Sequence, residues 1–229
     1  LPPIRPWRRF PVLSPKLPGP LLRHYGAQAL SPVAERFYGR RWTPATSSNL
    51  SLRVDEERAL VTASGGHKRF LTGDALVLMG LDGTVLDGAE GAQPSAEAAL
   101  HLALYARDSG LGAVLHAHAP STVIWTERYP KAAAVELTGA ELLKAFPEVH
   151  THESHQAIPV VPNSQDMTEV DLAVVAAQHG LTRAPPAYLI RGHGAYVWGA
   201  SLFDAERHME ALVSLLEHAL SLPTPEASP

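Results

Sequence analysis

Cysteine is absent from the 229 residues. That excludes disulfides, thiolate nucleophiles, iron–sulfur clusters and cysteine-type zinc sites. Apolar stretches stay well short of the roughly 18 residues that a membrane-spanning helix needs, so no transmembrane helix is expected. Basic charge is not concentrated anywhere beyond the pairs Arg8–Arg9 and Arg40–Arg41, and the net charge is −4, so nucleic acid is not an expected partner. Aromatic residues make up only 7%. The scattered Trp and Tyr residues read as core or interface anchors. With no cysteine and no secretory signal pattern at its start, the chain is expected to be cytoplasmic.

Hydrophobic residues at 45% and charged residues at 18% fit an ordinary globular protein with a real core. Proline is concentrated at the ends. Seven of the first 20 residues are proline, a composition that reads as an extended arm over residues 1–22. The segment from Pro223 to Pro229 carries three prolines and reads as a fraying tail, leaving residues 23–222 as one domain. No internal repeat is visible.

Between those ends, helical and strand patterns alternate, which indicates a layered α/β domain. Ser31-Pro32 predicts an N-cap followed by a short helix to about Gly39. Leu50–Val54 and Ala59–Ala63 read as strands. Leu76–Met79 and Thr84–Leu86 flank the tight turn Asp82-Gly83. Ser95 predicts the cap of a helix reaching Asp108. Gly112–Ala117 reads as a strand, and a helix follows Pro120. Thr138 begins a further helix ending near Phe146. Ile158–Val161 reads as a strand. Thr168-x-x-Asp171 is the capping signature of a helix stopping at Gly180, and Ser201-x-x-Asp204 that of the last long helix, to about Leu220.

Histidine supplies the chemistry, with 12 residues in the chain. His116 and His118 stand at i and i+2 on a strand, so both side chains point to one face. They read either as a shared divalent-metal site or as two unrelated strand-end histidines. His193 lies in Arg191-Gly192-His193-Gly194, between two apolar runs, at a strand end where α/β folds bind ligands. Joined to the first pair it makes a three-imidazole set with an open position, the arrangement of a catalytic zinc. Glu97 suits a pocket rim near that metal and equally suits the dipole of the helix it opens. Glu141 has the same two readings, since Thr138-x-x-Glu141 fits a capping box. His150, His152 and His155 form a rival cluster in a polar segment, ranked second because a loop preorganises ligands poorly. Ser47-Ser48-Asn49 and Ser64-Gly65-Gly66-His67-Lys68 are polar turns that suit a phosphate or are simply turns.

Taken in order, Ala45-Thr46-Ser47-Ser48-Asn49-Leu50-Ser51, Ser64-Gly65, Ser95-Ala96-Glu97, His116-Ala117-His118 and Gly192-His193-Gly194 resemble the class II aldolase family, the adducin-like zinc enzymes of sugar phosphates. Ser64–Lys68, Glu141–Phe146, Pro162–Met167 and Ile190–Gly199 resemble most the dehydratases within it. The resemblance implies a three-layer α/β/α sandwich around a largely antiparallel sheet, assembled as a homotetramer. It implies Zn2+, one per subunit, on His116, His118 and His193, with Glu141 as acid/base and Glu97 at the position of the aldolase base. Candidate substrate and phosphate contacts are Ser47, Asn49, Ser64, Gly65, Lys68 and Ser95. The expected reaction is dehydration of 5-methylthioribulose 1-phosphate in methionine salvage. The alternatives are a zinc-dependent sugar-phosphate aldolase or epimerase, and a non-catalytic adducin-like interaction module. Ser48 departs from the family's usual glycine in its turn.

Overall fold

Strands with apolar residues on both faces need cover on both sides, and that requirement organises this molecule. The computed structural model describes residues 14–179 and 185–222. In chain order its elements are α1 (Gly19–Gly39), β1 (Asn49–Arg53), β2 (Arg58–Thr62), β3 (Leu76–Gly80), β4 (Val85–Asp87), α2 (Ala98–Arg107), β5 (Ala113–Ala117) and α3 (Pro120–Arg128). There follow β6 (Ala134–Leu137), β7 (Gln156–Val161), α4 (Met167–Gln178), β8 (Ala187–Ile190), β9 (Gly194–Gly199) and α5 (Leu202–Ser221). Nine strands form one sheet in the order β4-β3-β2-β1-β5-β9-β8-β7-β6. The β7–β8 pair is parallel and the others are antiparallel, in keeping with the largely antiparallel sheet that the family resemblance implied.

Alternation along each strand divides the core in two. Leu50, Leu60, Leu115, Leu189 and Val197 pack in one cluster with residues of α1, α3 and α5. Val61, Val77, Val114, Tyr188 and Tyr196 pack in the other with residues of α2 and α4. The result is the three-layer α/β/α sandwich. No helix among the described residues is long and apolar enough to cross a membrane.

Several local expectations are corrected. The first helix starts at Gly19, not at Ser31, and carries Pro32 inside it. Its buried stripe of Leu22, Ala27, Leu30, Val33, Ala34 and Phe37 outweighs the bond that an internal proline removes. Residues 19–22, read as part of the arm, are therefore the first turn of α1. The segment after Thr138 forms only a 3₁₀ turn, Glu141–Ala145, because Gly139 interrupts it in the left-handed region at φ 76°. Asp166, not Thr168, caps α4, its carboxylate accepting from the Thr168 N–H. β6 was not anticipated; it is an edge strand of four residues, too short for its alternation to stand out. The expected helix stop at Gly180, most of the arm and the tail from Pro223 lie outside the described residues.

Candidate metal centre and active site

β5 lies at the centre of the sheet, with β1 on one side and β9 on the other. Its register sets His116 opposite Asn49 of β1 and Tyr196 of β9. His116 is fully buried on the face covered by α2 and α4. His118 follows just past the strand end, its backbone N–H donating to the Trp42 carbonyl at 2.8 Å. The two rings lie 4.7 Å apart between centroids.

His193 arrives from the turn joining β8 to β9. Gly192 takes φ 65° there, a backbone state that glycine enters at no steric cost. A Cβ at Gly194 would collide with the Ala117 carbonyl oxygen, so only glycine lets β9 close on β5 beside His116. Arg191 pins the turn to the C-terminal end of α3. Its guanidinium donates to the carbonyls of Thr126 and Tyr129, each at 3.3 Å, and of Ala132 at 2.8 Å. The Gly192 N–H adds a bond to Thr126 Oγ1 at 3.0 Å. His193 is thereby brought to 4.6 Å from His118 and 5.1 Å from His116, between ring centroids.

Glu97 is the N-cap residue of α2, but its side chain makes no capping bond. The carboxylate instead lies 2.9 Å from His193 Nε2 and 3.7 Å from His116 Nε2, and accepts from the Asn49 side-chain amide. That decides between the two readings of Glu97 in favour of the pocket. Ser95 Oγ accepts from the Glu97 N–H at 3.3 Å and so sets the turn that aims it.

The electrostatics suit a cation. Burial pulls His116 well below the ordinary imidazole range, and burial with repulsion from His193 takes His118 to about 4. Burial acts to raise Glu97, but the bond to His193 and the neighbouring imidazoles prevail and hold it at about 2. At neutral pH His116 and His118 therefore stand as neutral imidazoles beside the Glu97 carboxylate, the protonation state metal ligands require. His116 Nδ1 faces the Ala195 carbonyl at 3.0 Å, so that nitrogen carries the hydrogen and Nε2 keeps its lone pair. Nε2 of His116 and Nε2 of His118 then face each other at 2.9 Å. One potential ligand atom from each of Glu97, His116, His118 and His193 lies within 4.8 Å of the others, the only such group among the described residues. This donor set fits a divalent metal ion.

The rival trio does not converge. His155 pairs with Glu136 at 2.6 Å and His152 with Glu141 at 3.2 Å, all with exposed side chains. The Glu141 carboxylate, also 2.5 Å from Lys144, sits on the far side of the sheet in the 3₁₀ turn packed against α5. Within one chain it does not line the cavity beside the histidines.

That cavity measures about 400 Å³. Its walls include the expected Ser47, Asn49, Ser64, Gly65, Lys68, Ser95, Glu97, His118 and His193, with His116 buried behind them. Lys68 is 1% exposed, and its ammonium donates to the carbonyls of Thr46 at 3.2 Å and Gly66 at 2.8 Å. Burial lowers its pKa to about 8, against the pull of Glu97. Thr46, Asn163, Ser164, Gln165 and Met167 also line the cavity and were assigned no role from sequence. The signal for the last four was the stretch Pro162–Met167, noticed only as a motif.

Residues 28–220 match the family described as Class II Aldolase and Adducin N-terminal domain. The chain belongs to that family. The methylthioribulose-1-phosphate dehydratase of Pseudomonas aeruginosa (strain LESB58) is 44% identical over 192 residues, covering 82% of this chain and 91% of that protein. The enzyme of the same name from Parvibaculum lavamentivorans is 43% identical over 182 residues, covering 79% and 86%. Among solved structures, L-fuculose-1-phosphate aldolase from Thermus thermophilus superposes with a TM-score of 0.67 at 25% identity, covering 84% of this chain and 92% of that one. The cavity of this chain is lined by serines, a lysine and imidazoles together.

Proposed function

We propose that this class II aldolase-family chain is a zinc-dependent hydro-lyase that converts 5-methylthioribulose 1-phosphate to 2,3-diketo-5-methylthiopentyl 1-phosphate and water in methionine salvage. The observation that carries the reading is the convergence of His116, His118 and His193 with Glu97 on one cavity of about 400 Å³, in a chain 44% identical to a protein of that name. Zinc on the three histidines would polarise the substrate's C2 carbonyl and so acidify the C3 proton.

The chain's own residues do the rest. Lys68, Ser47, Ser64 and Gly65 hold the phosphate, and Asn49 and Ser95 support the cavity wall, which fixes the distance from phosphate to reacting carbons. A carboxylate takes the proton from C3, the C4 hydroxyl leaves as water after protonation, and the resulting enol at C3–C4 becomes the C3 ketone. Glu97 is committed to Asn49 and His193 and acts as positioner. In this reading Glu141 is the acid/base and serves the cavity of a neighbouring copy, since it does not line the cavity of its own chain. A cytoplasmic homotetramer is the assembly that goes with this reading.

Glu97 also supports a second reading, a sugar-phosphate aldolase, because it stands at the cluster itself. The three intact histidines speak against a non-catalytic adducin-like module. Turnover of 5-methylthioribulose 1-phosphate by zinc-loaded protein separates the reactions. Formation of the diketone supports the dehydratase, and release of dihydroxyacetone phosphate the aldolase. Mixing inactive Glu141→Gln and His193→Ala proteins tests the shared site. Recovered activity is expected, and none means that Glu141 does not act across copies.

A further inference from the structure

Four residues form a row across four adjacent strands beneath the cluster. Asn49 of β1 opposes His116 of β5, His116 opposes Tyr196 of β9, and Tyr196 opposes Tyr188 of β8. In-register neighbours on one sheet face are the pairs that interact most strongly. Asn49 holds Glu97, and the other three are stacked rings. His116 and Tyr196 lie 4.2 Å apart with planes 16° from parallel, and Tyr196 and Tyr188 lie 4.9 Å apart at 10°. All three are essentially inaccessible to solvent. His101 of α2 closes the side of Tyr196 edge-on at 5.4 Å.

A ligand imidazole must point its lone pair at the metal. For His116 the bond from Nδ1 to the Ala195 carbonyl fixes the tautomer, but one hydrogen bond leaves the ring free to swing about its axis. The flat face of Tyr196 removes that freedom, and Tyr188 backs Tyr196 in turn. The Tyr196 hydroxyl is buried and has no hydrogen-bond partner among the described residues. An unpaired buried hydroxyl is a cost, so what recommends tyrosine at this position is its ring.

We infer that Tyr196 is a positioning residue of the metal centre: its ring, backed by Tyr188, holds the plane of His116 so that Nε2 faces the cluster. This rests on the metal reading of the site. Loss of a group that orients a metal ligand lowers affinity about 10–100-fold.

The test is zinc affinity by chelator competition, with the visible spectrum of the cobalt-loaded protein and the melting temperature of the metal-free protein measured beside it. Tyr196→Phe keeps the ring and is expected to stay within about twofold of the parent, whereas Tyr196→Leu is expected to weaken zinc at least about tenfold and to alter the cobalt spectrum. A ring that serves packing alone would lower the Leu variant's melting temperature and leave zinc affinity and spectrum unmoved, which overturns the inference. Should Tyr196→Leu fail to fold, Tyr188→Leu removes only the backing ring. Its expected loss of zinc affinity is about threefold to tenfold, and an unchanged affinity overturns the inference. Parent protein that takes up neither zinc nor cobalt overturns the metal reading itself. Normal uptake by the parent and by the folded Leu variants alike overturns only the role of Tyr196.

Discussion

Nε2 of His193 lies 2.9 Å from a carboxylate oxygen of Glu97, joining the β8–β9 turn to the start of α2 across the cavity. Segments almost a hundred residues apart thus meet at one point. If His193 is a true ligand, His193→Ala lowers zinc affinity by more than about 100-fold, beyond the loss expected for an indirect orienting group. The combined substitution His150→Ala and His152→Ala leaves zinc bound, since neither residue belongs to the converging group. Metal content after gel filtration checks both. Zinc lost from the double variant would mean that the metal sits in the wrong place here.

Arg191 supports that histidine from behind, with three carbonyls accepting from one guanidinium. A lysine ammonium cannot reproduce that fork. Arg191→Lys is expected to cost about 1–2 kcal/mol of unfolding free energy and to weaken zinc binding through His193. Urea unfolding of the metal-free protein reads the first effect and chelator competition the second. A loss of stability with zinc affinity unmoved would confine Arg191 to holding α3.

Much of this arrangement was legible because strand geometry is simple. The spacing His116-x-His118 fixes a shared face once the segment is a strand, and Asp82-Gly83 marks its hairpin with Gly83 at φ 91°. Legibility stopped where tertiary packing decides. Glu97 suits a helix dipole and Glu141 a capping box, and only the fold separates them, sending one carboxylate to His193 and the other to Lys144. The proline-rich start hid the first half of α1, whose buried stripe overrides Pro32. Tyr196 was one apolar residue within a strand run, and its stacking on His116 depends on a β5–β9 register that no local pattern encodes.

Ser48 stands in the left-handed region at φ 78°, where a non-glycine residue costs roughly 1–2 kcal/mol. Its hydroxyl returns little, reaching the Trp42 carbonyl only at 3.4 Å. Ser48→Gly is therefore expected to raise the unfolding free energy by about 1 kcal/mol, the released strain being partly offset by glycine's greater freedom in the unfolded chain. Thermal and urea unfolding measure it. A variant less stable than the parent would show that the hydroxyl's bond outweighs the strain.

His101 gives the chain an acid-sensitive core. It is fully buried between Ser51, whose hydroxyl lies 2.7 Å from Nδ1, and Tyr196, and burial pulls its pKa to about 4 against the weaker opposing pull of Glu97. In the unfolded chain an imidazole titrates near 6.5. Between those two values the unfolded state binds a proton that the native state refuses, so stability is full above about pH 6.5, falls as the pH drops through the window, and levels off below about 4. The loss from this one group is of order 3 kcal/mol. His101→Gln removes it. In metal-free protein the variant's unfolding free energy is expected to gain on the parent's as the pH falls from 6.5 to 4, while His116 and His118, pulled down in the same direction, leave a residual slope in both. Parallel pH profiles for parent and variant would show that His101 is protonated in the native state as easily as in the unfolded one.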